Sequence, residues 1–206
     1  RRSSDLYIIG DDVAFDKTYY ETNNYTNYLE RGDRYQQTAA ELLAHLKTMN
    51  LDHGPFLDFG CAVGFLLQGL KNLSPNTSMY GVDISEYARE VCKEKGLTAL
   101  SEVEWHKNHG VVFAMDVFEH MPADELDLFF NLIKAETIIF RMPVPAATGE
   151  DYYLDVSRAD PTHLIKWTKD EWSQFFIENN YIPLDLNLST VYNSTGVYTG
   201  LAIRVE

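Results

Sequence analysis

Two short stretches of the chain combine small residues with acids in a spacing that could bind a ligand. The stretch "DFGCAVG" places Asp58 ahead of three small residues, Gly60, Ala62 and Gly64, and "GVDIS" places Asp83 directly after an apolar run. Small residues let the backbone approach a ligand closely. A carboxylate accepts several hydrogen bonds or holds a cation. The two stretches therefore predict a binding site for a ligand with a cationic part and with hydroxyl groups.

Two further stretches add groups that could transfer a proton. If residues 116–120, "DVFEH", form a helical turn, Asp116, Glu119 and His120 share one face. His163 lies in "DPTHLIKW", at the end of a long polar loop. An unperturbed imidazole changes its charge near neutral pH and can serve as a base. We therefore predict His163, His120 and Asp116 as catalytic residues, and a structural histidine is the alternative for His120.

The elements that must position these residues alternate along the chain. Apolar runs predict strands that begin at Phe56 and that span 78–83, 111–115 and 136–144. One helix is predicted before them, within 35–49. Two more are predicted between them: one begins after Ser85 as N-cap and stops at Gly96, and the other lies near 122–134. A capping-box pattern, "TKDE" at 168–171, predicts a further helix that ends near Asn179.

This alternation predicts an α/β fold with a mostly parallel sheet and helices on both faces. The last two apolar runs, "YIPLDLNLS" and "VYTGLAIRV", have no helix between them, so they predict a hairpin and one antiparallel strand. In open sheets of this kind, ligands bind beyond the carboxyl ends of the strands. The acids and histidines described above fall at those ends.

A dinucleotide ligand fits this pattern poorly. The dinucleotide fingerprint is G-x-G-x-x-G. Gly60 would be its first glycine, but Ala62 takes the second place and Phe65 the third, where a large ring obstructs close packing of helix on strand. That fingerprint also has no use for a charge at Asp58. We expect a ligand that carries a cation near Asp58.

The stretch "DFGCAVG" resembles the first motif of class I S-adenosylmethionine-dependent methyltransferases, acid-x-Gly-x-Gly-x-Gly. The resemblance continues through "GVDIS", "DVFEHM" and "DPTHLIKWTKDEW" and covers most of residues 15–206. It implies a single-domain, Rossmann-like fold with a seven-stranded sheet and an antiparallel last strand. It also implies S-adenosyl-L-methionine as cofactor and methyl transfer as activity.

The resemblance implies specific roles for residues of this chain. Asp58 would hold the methionine ammonium, Asp83 would accept hydrogen bonds from both ribose hydroxyls, and Ile84 would lie against the adenine. The region of Ser101 and Glu102 would supply an adenine contact. The complete set of cofactor-binding residues expected is Asp58, Gly60, Cys61, Gly64, Asp83, Ile84, Glu102, Asp116, Tyr20 and Tyr28.

The chain departs from the family pattern at two places. Ala62 replaces a glycine, which requires ordinary backbone angles at that position. The segment between the second and fourth strands is short, and "KNHGVVF" lacks the acid that commonly starts the fourth strand. The second departure falls on the third strand and on the region of the expected adenine contact.

The Tyr-rich segment at 15–35 is a candidate lid over the methionine end of the cofactor. Tyr20 and Tyr28 are the expected lid contacts, and the alternative is that these rings pack the first helix onto the sheet. We predict residues 1–50 to form this N-terminal lid and helical segment. Residues 51–206 are then predicted to form the methyltransferase domain, and the two parts form one structural domain.

A metal site is a further possibility at Asp116, Glu119, His120 and His163. These residues resemble the magnesium site of small-RNA 3′-end 2′-O-methyltransferases, where glutamate stands at the place of Asp116. Small-molecule methyltransferases carry a similar Glu-His pair without metal. The sequence therefore leaves the metal undecided.

The bulk composition limits the partners. The 206 residues carry a net charge of −14, which would repel a phosphate backbone, so no polymeric nucleic acid is expected. No apolar run is long enough to span a membrane. Cys61 and Cys92 have no metal-type spacing. We expect them to be reduced thiols and the protein to be cytoplasmic. Oligomeric state is not predicted.

The sequence favours O-methylation of a small polar metabolite, with the polar loop 143–163 as acceptor pocket. Two alternatives remain. One is a methyltransferase that acts on RNA or protein. The other is a non-catalytic cofactor-binding domain of the same fold.

Overall fold

The computed structural model describes residues 15–21 and 30–205. Within these residues seven strands form one sheet. They are β1 (Phe56–Phe59), β2 (Met79–Val82), β3 (Ala99–Leu100), β4 (His109–Met115), β5 (Ala135–Pro143), β6 (Tyr181–Asp185) and β7 (Val197–Arg204).

Helices connect most of the strands. They are α1 (Lys17–Glu21), α2 (Gly32–Thr48), α3 (Phe65–Leu73), α4 (Glu86–Glu94), α5 (Ala123–Leu132), α6 (Asp155–Arg158) and α7 (Lys169–Glu178), and a 3₁₀ turn spans Phe118–His120. Two predicted caps are confirmed. The Ser85 hydroxyl accepts a hydrogen bond from the Ala88 N–H, and Thr168 and Glu171 form the reciprocal capping box that begins α7.

The strand order in the sheet is β3-β2-β1-β4-β5-β7-β6. Strands β1 to β5 pair in parallel with their neighbours, whereas β7 is antiparallel to both β5 and β6. This confirms the predicted α/β fold with its mostly parallel seven-stranded sheet. The strand order reverses between β1 and β4, so the expected binding crevice lies beyond the carboxyl ends of these two strands.

Side chains alternate between the two faces of the sheet and build a core on each. Leu57 and Phe59 of β1 pack in the cluster that includes α5 and α7. Phe56 packs on the opposite face, with Leu42 and Leu46 of α2. The predicted domain boundary at residue 50 lies between α2 and β1, and α2 nevertheless contributes fully buried side chains to the core of the sheet.

A further small cluster joins α1 to the loop after β1 and to α4 through Tyr20, Val63 and Ala88. The predicted lid segment is thus packed at Tyr20, while Tyr25 and Tyr28 lie outside the described residues. Among the helices that the structure describes, none has the length and apolar character needed to cross a membrane.

Candidate active site

The loop after β1 has a left-handed backbone at three alternate residues. The φ angles of Gly60, Ala62 and Gly64 are +70°, +46° and +78°. A Cβ atom on Gly60 would clash with the side chain of Val117, which follows β4. The motif "DFGCAVG" therefore has small residues where the backbone turns and where the ends of β1 and β4 come together.

The condition of ordinary backbone angles at Ala62 is not met. A residue other than glycine in this region is strained by roughly 1–3 kcal/mol, so neighbouring interactions must hold it there. The Ala62 N–H donates a hydrogen bond to Asp83 Oδ2 at 2.7 Å. This bond compensates for the strain and links the first motif to the end of β2.

Asp83 has one donor on each carboxylate oxygen. The Ser85 N–H donates to Oδ1 at 2.8 Å, and the Ala62 N–H donates to Oδ2. Burial raises the pKa of Asp83, and these two backbone hydrogen bonds oppose the rise. Two carboxylate oxygens offer about four lone-pair sites, so the group can still accept two hydroxyl donors from a ligand.

Asp58 lies at the end of β1 and is 3% exposed. Its Oδ2 atom has no hydrogen-bond partner in the protein. Burial, and after it the charge of Asp83, raises the pKa of Asp58 from 3.8 to about 7. A hydrogen bond from the Leu67 backbone opposes this rise. A buried carboxylate oxygen without a partner is nevertheless costly, and a ligand cation would supply a partner for Oδ2.

A cavity of about 470 Å³ lies at this edge of the sheet, within the range of small-molecule sites. The predicted site residues that line it are Tyr20, Asp58, Gly60, Cys61, Asp83, Ile84, Asp116, His120 and His163. The structure thus brings together acids from β1 and β2 with the histidines that follow β4 and β5.

Of the predicted cofactor residues that the structure describes, two do not line this cavity. Gly64 is the N-cap of α3, and a Cβ atom there would lie 2.7 Å from Cys92 Sγ of α4, so its role is in helix packing. Glu102 follows β3, which has only two residues, and is exposed. Its predicted adenine contact is not supported, because Glu102 does not line the cavity.

Asp116 forms an ion pair that competes with its predicted catalytic role. Its carboxylate is paired with the guanidinium of Arg141, on β5. A carboxylate held by arginine is a poor proton acceptor. Asp116 also has a φ of +58° and precedes the 3₁₀ turn, so it does not share a helical face with Glu119 and His120 as expected.

Glu119 connects the turn after β4 to the segment that carries His163. Its backbone carbonyl accepts hydrogen bonds from the N–H groups of Leu164 at 2.7 Å and Ile165 at 3.1 Å. The rings of His120 and His163 therefore meet edge to face, with centroids 4.6 Å apart. The two histidines, 43 positions apart in sequence, form one pair at the cavity wall.

The electrostatic surroundings of the pair favour neutral rings. Burial, and after it the neighbouring His163, lowers the pKa of His120 from 6.5 to about 4. Burial also lowers the pKa of His163, but the Asp160 carboxylate opposes this change, with Oδ2 at 3.9 Å from His163 Nε2. The charge of Asp160 also opposes the lowered pKa of His120, but its direct contact is with His163.

One ligand atom each from Glu119, His120 and His163 lies within 4.8 Å of the others, which could suit a divalent cation. Both carboxylate oxygens of Glu119 are buried without a partner. Burial, and after it the charge of Asp116, raises the pKa of Glu119. Asp116, the fourth residue of the metal site considered from sequence, is not part of this group. One carboxylate and two imidazoles are donors that several transition metals accept.

Sequence reasoning missed Arg141, Asp160 and Thr162. The sequence does contain a signal for Arg141, because a cation inside the apolar run "ETIIFRMPV" needs a buried anion as partner. Asp160 and Thr162 were inside a quoted motif, and their hydrogen bonds depend on how that loop folds. Thr162 contacts both Asp160 and His120, as described below.

No protein-family model matches the sequence, and no curated protein sequence matches it either. Solved structures do match the fold. Magnesium protoporphyrin IX methyltransferase (ChlM) from Synechocystis PCC 6803, with bound SAM, is 17% identical and has a TM-score of 0.61. The alignment covers 97% of this chain and all of that one.

Two further structures show the same likeness. The plantazolicin methyltransferase BpumL, in complex with SAH, is 13% identical with a TM-score of 0.64, over 87% of each chain. The methyltransferase domain of bacterial CtHen1 is 19% identical with a TM-score of 0.57, over 83% of this chain and 98% of that one. The chain therefore has the Rossmann-like fold of S-adenosylmethionine-dependent methyltransferases, and the predicted fold resemblance is confirmed.

Proposed function

We propose that this protein is an S-adenosylmethionine-dependent methyltransferase that methylates a hydroxyl group of a small polar molecule. The observation that carries the proposal is the shared cavity. Two buried acids that suit the cofactor, Asp58 and Asp83, and a histidine pair that suits a proton transfer line the same space.

The acids fit the chemical groups of this cofactor. Asp58 has an orphan oxygen at the end of β1, where the methionine ammonium would supply a cation. Asp83 keeps lone pairs for the two ribose hydroxyls, and Ile84 beside it offers an apolar surface to the adenine. Phosphate groups would be repelled by two such acids, so the same site disfavours a dinucleotide.

The chain's part in the reaction is to position the acceptor and to receive its proton. Asp58 and Asp83 would hold S-adenosylmethionine, which would supply an electrophilic methyl group to the acceptor oxygen and would leave as S-adenosylhomocysteine. The oxygen then loses its proton, which we assign to the His163 imidazole. Positioning can contribute up to about 7–11 kcal/mol in model systems, and proton transfer adds about 10²- to 10⁴-fold.

A small polar acceptor is supported by the walls of the cavity. The segment between β5 and α7 contributes Leu154, Val156, Ser157 and Asp160 to its lining. This mixture of apolar and polar groups suits an acceptor with several hydroxyl groups. The net charge of −14 disfavours RNA as the acceptor.

The decisive experiment combines binding with transfer. S-adenosylhomocysteine is titrated into the protein by calorimetry, and labelled S-adenosylmethionine is then incubated with pooled metabolites, RNA and proteins in separate reactions. We expect binding, and label in the metabolite pool. Label in RNA or protein alone would show that the acceptor is a macromolecule and not a small molecule. Binding of S-adenosylhomocysteine without label in any pool would favour a non-catalytic domain.

Glu102→Ala is a matched control for these assays. It removes an exposed carboxylate near the end of β3 and leaves the cavity unchanged. We expect it to bind and to transfer as the wild type does.

A further inference from the structure

The loop that carries His163 also contributes Asp160 and Thr162 to a hydrogen-bonded chain that ends at His120, in the 3₁₀ turn after β4. The Thr162 hydroxyl lies 2.5 Å from Asp160 Oδ1, and His120 Nδ1 lies 2.9 Å from the same hydroxyl. The direction of each hydrogen bond can be worked out from the chemistry of the groups.

Asp160 sets the direction of the first bond. Burial would raise the pKa of Asp160, but hydrogen bonds from the side chain and backbone of Thr162, together with His163, lower it on balance. An ionised carboxylate only accepts hydrogen bonds. The hydroxyl and the N–H of Thr162 therefore both donate to Oδ1, the latter at 2.9 Å.

The second bond must then run from His120 to Thr162. The hydroxyl proton of Thr162 is directed to Asp160, so its oxygen faces His120 as an acceptor. The Thr162 carbonyl, 3.3 Å from the same His120 Nδ1 atom, is also only an acceptor. Both contacts require the proton of the neutral His120 ring to be on Nδ1, which leaves the lone pair on Nε2.

The tautomer of His163 can be assigned in the same way. Its Nδ1 atom lies 2.9 Å from the backbone carbonyl of Ser157, which only accepts, so Nδ1 carries a proton and Nε2 keeps the lone pair. The second oxygen of Asp160, Oδ2, lies 3.9 Å from that Nε2 atom and also accepts a hydrogen bond from Tyr19 of α1 at 3.4 Å. One carboxylate thus faces both histidines, directly or through Thr162.

We infer that Asp160 and Thr162 are positioning residues for the methyl transfer proposed above. Asp160 fixes the Nδ1–H tautomer of His120 through the Thr162 hydroxyl and faces Nε2 of His163 with its other oxygen. Both rings line the cavity, and each then carries its lone pair on Nε2. This inference rests on the proposed function for its catalytic meaning, but its geometry is measurable without activity.

The test uses Thr162→Val, which keeps the shape of the side chain and removes the hydroxyl, and Thr162→Ser, which restores it. Nitrogen chemical shifts of the histidine rings are measured by NMR near pH 7 on the protein without cofactor. We expect Nδ1–H at His120 in the wild type and in Thr162→Ser, and a mixture of tautomers in Thr162→Val.

Turnover supplies the second measurement. Loss of a group that orients another commonly costs about 10- to 100-fold. We expect kcat to fall by that factor in Thr162→Val and in Asp160→Asn, with KM for the cofactor and the melting temperature nearly unchanged and with recovery in Thr162→Ser.

The outcomes separate this inference from the proposed function. An Nε2–H tautomer in the wild type, or an unchanged His120 spectrum in Thr162→Val, would overturn the positioning role whatever the activity. A folded Thr162→Val variant with wild-type kcat would overturn it too. Failure to bind S-adenosylhomocysteine would overturn the proposed function. It would not change the conclusion about the tautomer of His120, which is measured without cofactor.

Discussion

Asp83 accepts a hydrogen bond from the backbone N–H of Ala62 at 2.7 Å, so the carboxylate at the end of β2 holds the strained loop at the end of β1. The two residues are 21 positions apart in sequence. This contact means that the acid expected to bind a ribose also fixes the backbone conformation of the loop that follows Asp58.

The first prediction concerns Asp83→Ala. Hydrogen bonds to a charged acceptor are worth about 1.5–3 kcal/mol each, so affinity for S-adenosylhomocysteine should fall at least about tenfold. Calorimetry measures this change, with Glu102→Ala as the control that loses a carboxylate outside the cavity. Unchanged affinity in a folded Asp83→Ala variant would remove Asp83 from the cofactor site.

The second prediction concerns pH and Asp58. Its pKa is about 7, because burial and then Asp83 disfavour the charged form, and a ligand ammonium needs that charged form. Affinity for S-adenosylhomocysteine should therefore rise about tenfold between pH 6 and pH 8 and then level off. In Asp58→Asn the affinity should be lower and should lose this dependence. Equal pH dependence in both proteins would exclude Asp58 as its source.

The same pKa predicts a change in stability without ligand. The pKa is raised on folding, so the stability that protonated Asp58 contributes is present below pH 3.8 and is lost as pH rises to about 7. Asp58→Asn should thus raise the melting temperature of the cofactor-free protein at pH 8.

The third prediction concerns His163→Ala. If His163 receives the proton, turnover should fall by roughly 10²–10⁴, with cofactor affinity and melting temperature nearly intact. Wild-type activity should also survive a chelator. Activity that is lost on chelation and recovers with an added divalent metal would instead assign Glu119, His120 and His163 to a cation. A stable variant with full turnover would end the case for His163 as base.

The fourth prediction separates backbone strain from packing at Gly64. A Cβ atom there would lie 2.7 Å from both Cys92 Sγ and Leu97 Cδ1, whereas at Gly96, with a similar φ of +73°, it would meet no atom within 4 Å. Both substitutions by alanine add the backbone strain of a left-handed residue, about 1 kcal/mol or more. Gly64→Ala should be the more destabilising in urea unfolding. Equal losses of unfolding free energy in Gly64→Ala and Gly96→Ala would show that close packing of Gly64 against α4 adds nothing to the cost of the substitution.

The pattern of apolar runs, caps and connections predicted six of the seven strands that the structure describes, the antiparallel pairing at the end of the sheet and several helices. It did not predict β3, since two residues carry no periodic signal. The positions of Asp58 and Asp83 followed from their places at strand ends. The ion pair of Asp116 with Arg141 and the chain from Asp160 to His120 did not, because they depend on how distant loops pack.

The central claim is that the cavity beyond β1 and β2 binds S-adenosylmethionine rather than a dinucleotide. The most direct test is a thermal-shift titration of one protein sample with S-adenosylhomocysteine and, in parallel, with NAD. A ligand at 100 times its Kd stabilises the folded state by about 2.7 kcal/mol, so a rising melting temperature with S-adenosylhomocysteine and none with NAD is the predicted result. Stabilisation by NAD alone would contradict the account.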